Sequence, residues 1–346
     1  MAWFSPVGQA LARKLLGAQS LADVCASSFD IGEPLDVERR EAVHVPGDLD
    51  RVTGFAPSRS LALEQLRLRP GPMHLRAGRA CVLEDALVVD GNVYKARAKH
   101  AVAGNTRTWL ASFDTREPGG ILVANRQSHA YFGHWLTEEL PLTAQLRTRG
   151  AIVTTHFGRQ PYSHEAGYAR VYGVETPREL PRRCALSQLT VVEGGGLNAA
   201  HVRGIAALRQ SLVDAGWRPS NRHVFIRRGG GSPRRLVNED AVVDALAARG
   251  FAVVDPERAA PEEIARACFG AEVVVGVEGS HLAHGLMQLG RGSALVTIQP
   301  PDRFNNPFKD FCDVGGLTYG YVVASPAGEG FSLPPDLLLQ LLDQLP

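Results

Sequence analysis

Short apolar runs alternate with amphipathic stretches most regularly after Trp217. The run VFI inside NRHVFIRR reads as a buried strand ended by Arg227 and Arg228. NEDAVVDALAARG follows with Val242, Val243 and Leu246 at helical spacing, Asn238 as N-cap and Gly250 as stop. FAVVD reads as a second strand, and PEEIARACFG as a short helix opened by Pro261. AEVVVGV is then a third strand, SHLAHGLMQLG a helix and SALVTIQP a fourth strand. This series predicts an open parallel sheet covered on both faces by helices. LPPDLLLQLLDQLP reads as a closing amphipathic helix.

The first half is less periodic. RACVLEDALVVDGNVYKARA carries short apolar runs around Asp90-Gly91, the signal of an antiparallel hairpin. GGILVAN, residues 119–125, reads as a buried strand, and a helix is expected over Tyr131–Leu140, bent or restarted at Pro141. The expected division is an irregular extension over 1–77, a first lobe over 78–205 with a small β-rich portion at its start, a second lobe over 206–330, and the terminal helix over 331–346.

Composition narrows the class. At 346 residues and 45% apolar content the chain is long enough for about two packed cores. Lys+Arg of 37 against Asp+Glu of 36 gives a net charge of +1, so the whole-chain field does not steer the protein to nucleic acid, and any anion site is local. Cys25, Cys81, Cys184, Cys268 and Cys312 are scattered, with no Cys-x-x-Cys pair, which suits a reducing compartment and no structural zinc. Arg13 and Lys14 interrupt the apolar residues of the N-terminus, leaving neither a signal-peptide core nor a span of about 20 apolar residues. A short amphipathic helix there leaves peripheral membrane contact open.

Three stretches carry candidate chemistry. In GVEGSHLAHG, the turn after the third strand, Gly276 and Gly279 permit close backbone approach, and the amides after Ser280 are expected to face outward as an anion cradle. Leu282, Leu286 and Leu289 share one helix face, which places His281, His284 and Gln288 on the opposite, polar one. A capped helix with two surface histidines is the plain alternative, and a zinc site of Glu278, His281 and His284 a further one. In VFIRRGGGSPRR, Arg227 and Arg228 stand at a strand end with Arg234 and Arg235 just beyond, guanidiniums suited to a pyrophosphate or else a solvated basic loop. In FGHWLTEELP, His134 and Glu138 lie four apart on one helix face, as a general base and its orienting carboxylate do, and as an ordinary surface pair also does.

Taken together, FGHWLTEELP, FIRRGGGSPRRLVNEDAVVDALAARGFAVVDPE and VVVGVEGSHLAHGLMQLGRGSALVTIQPP resemble glycosyltransferase family 61, over roughly residues 78–325. The resemblance implies an α/β, two-lobed GT-B-like architecture with Rossmann-like parallel sheets, and inverting transfer without a metal or cofactor. The expected donor is a nucleoside-diphosphate sugar and the acceptor a glycan or polysaccharide. A bacterial-type enzyme of capsule or surface-polysaccharide assembly, cytoplasmic and at the inner face of the membrane, follows by analogy. One departure stands out: where the family often has a Gly-x-His-Gly-Ala-Gly-like turn, this chain has Glu278 at the histidine's place and His281 at the last glycine's.

The mechanism so implied is an in-line displacement. Arg227, Arg228, Gly276, Gly279, Ser280, His281 and His284 hold the donor; His134, oriented by Glu138, takes the acceptor proton, with Glu278 as the competing base. Two other readings stay open: a pyruvyl-type transferase acting on polysaccharide, and a sugar-nucleotide-binding protein without catalysis.

Overall fold

The computed structural model describes residues 6–104, 115–193, 196–219, 223–229 and 234–346. It divides into two compact units, Met1–Leu35 with Arg76–Leu208, and Asp36–Leu75 with Arg209–Pro346. The triple-glycine loop after Arg228 lies outside the described residues beyond Gly229, as does the start of NRHVFIRR before His223.

Unit 2 is built on a six-stranded sheet in which every pairing is parallel. Its strands are Val43–His44, His223–Ile226, Ala252–Val254, Val273–Val277, Ala294–Gln299 and Thr318–Val323. His223–Ile226 lies between Ala252–Val254 on one side and Val273–Val277 on the other, and the rest follow outward in chain order to Thr318–Val323. Numbered from His223–Ile226, this is the 2-1-3-4-5 order of flavodoxin-type sheets. The chain turns first one way and then the other from that strand, which makes the carboxyl ends beside it the switch point at which sheets of this order bind ligands. Val224, Phe225, Val275, Val296 and Ile298 are fully buried, as strands covered on both faces must be.

The sixth strand comes from a segment expected to be irregular. Val43–His44 pairs with Thr318–Val323, and the turn behind it is fastened by Asp48, whose carboxylate accepts from the Val45 and Val323 amides at 2.8 and 2.9 Å. Glu64, in the helix Leu61–Leu68, accepts from the backbone and side-chain amides of Asn306 at 2.8 and 2.9 Å. Residues 36–75 therefore complete unit 2 and clamp the loop after strand Ala294–Gln299. Short elements and polar anchors, rather than a long apolar period, hold this segment, and for that reason its pattern is weak.

Unit 1 carries a nine-stranded mixed sheet. Gly120–Leu122, Ile152–Thr154, Arg178–Glu179 and Arg183–Val192 run parallel, whereas Gly78–Val89, Asn92–Lys95 and Ala98–His100 form an antiparallel meander. The meander turns at Asp90-Gly91, with φ of 47° and 72°, the two left-handed residues of a tight hairpin turn. Only part of this sheet is parallel, so the expectation of a Rossmann-like sheet holds in full for unit 2 alone. The α/β class stands.

Candidate functional site

In unit 1 the predicted helix runs as Phe132–His134, a π-helical turn Trp135–Glu139, and Leu140–Leu146. Pro141 lacks an N–H and its ring crowds the carbonyl four residues back; widening the preceding turn relieves that crowding, so the helix expected to bend or restart at Pro141 runs on through a π-helical turn. The wider turn projects Glu138 and Glu139 into the interior, at 2% and 3% exposure.

His134 Nδ1 lies 2.6 Å from Glu138 Oε1, and the imidazole remains 40% exposed beside a buried carboxylate. Asn125 donates to Glu138 Oε2 at 3.4 Å. Burial by itself would raise the Glu138 pKa; the His134 hydrogen bond and charge, the His201 charge and the Asn125 bond together hold it below the usual carboxylate range. Glu138 therefore stays ionised and orients the His134 ring through Nδ1.

Sequence reasoning missed His201 and Asn125. His201 sits in the first turn of Ala199–Asp214, its Nδ1 accepting from the Asn198 amide at 3.2 Å, while Asn198 Oδ1 accepts from the Ala200 and His201 amides. Burial pushes its pKa down to about 4. It is a neutral imidazole packed near the dyad. No motif around NAAH signals this, because the contact spans more than sixty residues of chain.

In unit 2 the candidate residues occupy the carboxyl ends of three neighbouring strands, at the point where strand order reverses. Arg228 follows His223–Ile226, Glu278 and Gly279 follow Val273–Val277, and Arg303 and Asn305 follow Ala294–Gln299. Arg228 Nη1 donates to the Glu278 carbonyl at 3.0 Å and lies 3.1 Å from His281 Nδ1. Arg234 is ion-paired with the Glu278 carboxylate and donates to its carbonyl at 3.2 Å. Asn305 Nδ2 donates to Glu278 Oε1 at 3.3 Å. Glu278, 4% exposed, thus anchors the side chains around it.

Gly279 is required here: its φ is +152°, and a Cβ would overlap the Arg228 guanidinium. Gly276 has a packing role, since a Cβ there would meet Leu282 at 2.8 Å and the Ile226 carbonyl at 2.9 Å. Burial, with the charges of Arg234 and Arg303, pushes Arg228 down to about 10 against the opposing pull of Glu278 and Glu239. Burial and the nearby Arg228 charge hold His281 neutral, with Nδ1 toward Arg228 and a buried Nε2 that has no partner among the described residues.

Three expectations are corrected, and one alternative is not supported by the contacts. Arg227 turns away from the glycine turn, to Glu239 and Asp240 at the start of the helix Glu239–Ala248; a strand-end neighbour of Arg228 points to the other side. The helix after Ser280 is only Leu282–Leu286, and the amides of Leu282, Ala283 and His284 bond the carbonyls of Gly279, Ser280 and His281, so those three amides do not form an anion cradle. His284 is not on a wet face: it is 2% exposed, and Gln288 is fully buried, because this helix packs on all sides. Glu278, His281 and His284 do not converge as ligands of one ion, since Arg234 and Asn305 engage Glu278 and Arg228 engages His281.

These features define a class: an α/β protein whose all-parallel sheet carries, at its switch point, arginines that outnumber the carboxylates anchoring them. Residues 132–296 match the family model Glycosyltransferase 61, which supports glycosyltransferase activity in general. The matched span holds both the His134–Glu138 dyad and the Arg228–Glu278 turn. No curated protein matches the chain. Among solved structures, a metal-soaked Flv1 flavodiiron core from Synechocystis sp. PCC6803 is 12% identical with TM-score 0.27, over 47% of this chain and 43% of that one. The flavodiiron protein from Giardia intestinalis is 13% identical with TM-score 0.22, over 62% of this chain and 49% of that one. The chain spans less than half the length of each, and likenesses this slight carry no argument.

Proposed function

We propose that the chain is a glycosyltransferase that takes a nucleoside-diphosphate sugar as donor and a glycan hydroxyl as acceptor, by in-line displacement and without a metal. The observation that carries this reading is that one family match spans both clusters, a carboxylate-oriented histidine and an arginine-rich turn. The acceptor oxygen attacks the anomeric carbon, the bond to the diphosphate breaks, and the acceptor proton passes to His134 Nε2. Arg228, Arg234 and Arg303 stabilise the charge that grows on the departing diphosphate, in a partly desolvated setting where such interactions strengthen. Glu278 anchors Arg228 and Arg234, and the base in this reading is His134.

The test is a thermal-shift panel of nucleoside diphosphates and their sugar conjugates, with and without chelator, on the wild type and Arg228→Ala. At least one conjugate should raise the Tm of the wild type, independently of chelator, and the shift should vanish in the variant. A response to phosphoenolpyruvate alone would favour the pyruvyl-type transferase. Tight donor binding with neither transfer nor hydrolysis over long incubation would favour a non-catalytic binding protein.

A further inference from the structure

The second glutamate of the π-helical turn points elsewhere. Glu139 forms part of the floor of a cavity of about 200 Å³ contained within unit 1. Its Oε1 accepts from Thr154 Oγ1 at 3.4 Å; its Oε2, fully enclosed, has no partner within hydrogen-bond geometry among the described residues, because the nearby Ser128 hydroxyl, which lowers the Glu139 pKa, donates to the Asn125 carbonyl at 3.2 Å. A buried carboxyl oxygen without a donor is costly to keep, and such atoms in folded proteins call for a missing partner. The floor around it is largely apolar, with Trp135, Leu140 and Ala169 buried, and the mouth opens beside the exposed Glu175.

The charges set the sign of that partner. Glu139, Glu165 and Glu175 line the cavity, with His156 as its one basic lining residue and neither Lys nor Arg among them. Arg159, behind the wall, donates to Glu165 Oε1 at 2.8 Å, and His156 Nε2 lies 3.4 Å from Glu165 Oε2, so Glu165 is already compensated. The other His156 nitrogen faces Glu179 at 3.4 Å, and on Glu139's own helix Glu138 is committed to His134. Against the effect of burial, the charges of Arg159 and His156 pull the Glu139 pKa down while Glu165 pushes it up, and no cation is in ion-pair contact with its carboxylate among the described residues. Tyr162 donates its hydroxyl to the Ser128 and His129 carbonyls, at 3.1 and 3.0 Å, and so contributes its ring rather than a donor to the lining.

We propose that this cavity binds a compact organic ammonium, with the cation on Glu139 and a hydrocarbon body against Trp135, Leu140 and Ala169. The ammonium supplies the donor that Oε2 lacks, the aromatic walls of Trp135 and Tyr162 favour a cation, and the carboxylate lining disfavours anions. The space suits a six-membered ring, since apolar cavities of roughly 150 Å³ admit one. Burial pushes the Glu139 pKa up to about 7 in the empty cavity, so a cation that needs the ionised carboxylate must displace its proton in neutral and acidic solution.

Cyclohexylammonium and its neutral counterpart cyclohexanol test this on the full chain, by calorimetry and thermal shift without donor or acceptor. The amine is expected to bind at pH 8 and raise the Tm, with affinity falling about tenfold per unit as the pH drops below about 7. Cyclohexanol should bind at least about tenfold more weakly. Glu139→Gln, near-isosteric and uncharged, should remove the preference for the amine and its pH dependence. Ala169→Leu should block both probes by filling the floor, with circular dichroism reporting the fold of each variant. Equal binding of the two probes, amine binding unchanged in Glu139→Gln, or no amine binding at pH 8 would each overturn the assignment. None of these results bears on glycosyl transfer, which is measured with different ligands at different residues.

Discussion

Both candidate clusters set a buried glutamate against basic side chains, yet the chain builds them in different ways. His134 and Glu138 are one helical turn apart, so backbone geometry alone brings them together, and the imidazole keeps one face in water. Glu278 instead meets Arg228 and Arg234 from beyond one neighbouring strand and Asn305 from beyond another, and its carboxylate is enclosed. The first arrangement leaves the imidazole part-exposed beside the buried carboxylate. The second holds several cations in place, suited to binding charge rather than moving protons. Under the proposed function, proton transfer falls to the first cluster and charge placement to the second.

The sharpest way to break it is His134→Ala, which should lower the rate of transfer by about 10²- to 10⁴-fold with little change in donor affinity or fold. An unchanged rate would reduce the dyad to a helix-surface pair. Next in size, Arg234→Ala leaves the Glu278 carboxylate enclosed without its ion-pair partner and should destabilise by about 3 kcal/mol in urea unfolding. A loss near zero would mean that Glu278 anchors nothing.

His201 gives a pH test of comparable size. Its folded pKa of about 4 lies below the ordinary value of 6.5, so the unfolded chain binds the proton more tightly. Its contribution is full above about 6.5 and falls away as the pH drops toward 4, by about 3 kcal/mol in total. Glu139, raised to about 7, slopes the other way between 4.5 and 7, so the difference between wild type and His201→Gln isolates the histidine. Equal slopes in the two proteins would remove His201 from the buried side of the dyad.

Two smaller effects sharpen the other cluster. Gly279→Ala forces a side chain into a backbone region reserved for glycine and against Arg228, and should cost about 1–3 kcal/mol while weakening donor binding. Arg227→Ala removes only a pairing to the well-exposed Asp240 and to Glu239, and should cost less than about 1 kcal/mol with donor affinity intact. Weakened donor binding in Arg227→Ala would place that side chain at the ligand after all.

The sequence by itself determined what depends on near neighbours. Apolar runs marked four of the six strands of unit 2, Asp90-Gly91 marked the hairpin, and a spacing of four placed His134 on Glu138, because each follows from a period or a turn completed within a few residues. The tertiary structure alone decided what depends on which long-range surfaces meet. It sent Arg227 away from the turn and Arg228 into it, buried His284 in a helix packed all round, and brought His201 to Glu138. It also recruited residues 36–75 into the second sheet through Asp48 and Glu64, two carboxylates that each accept from an amide more than two hundred residues away. Partner choice of that kind is set by desolvation and hydrogen-bond satisfaction in the packed molecule, and neither leaves a period in the chain.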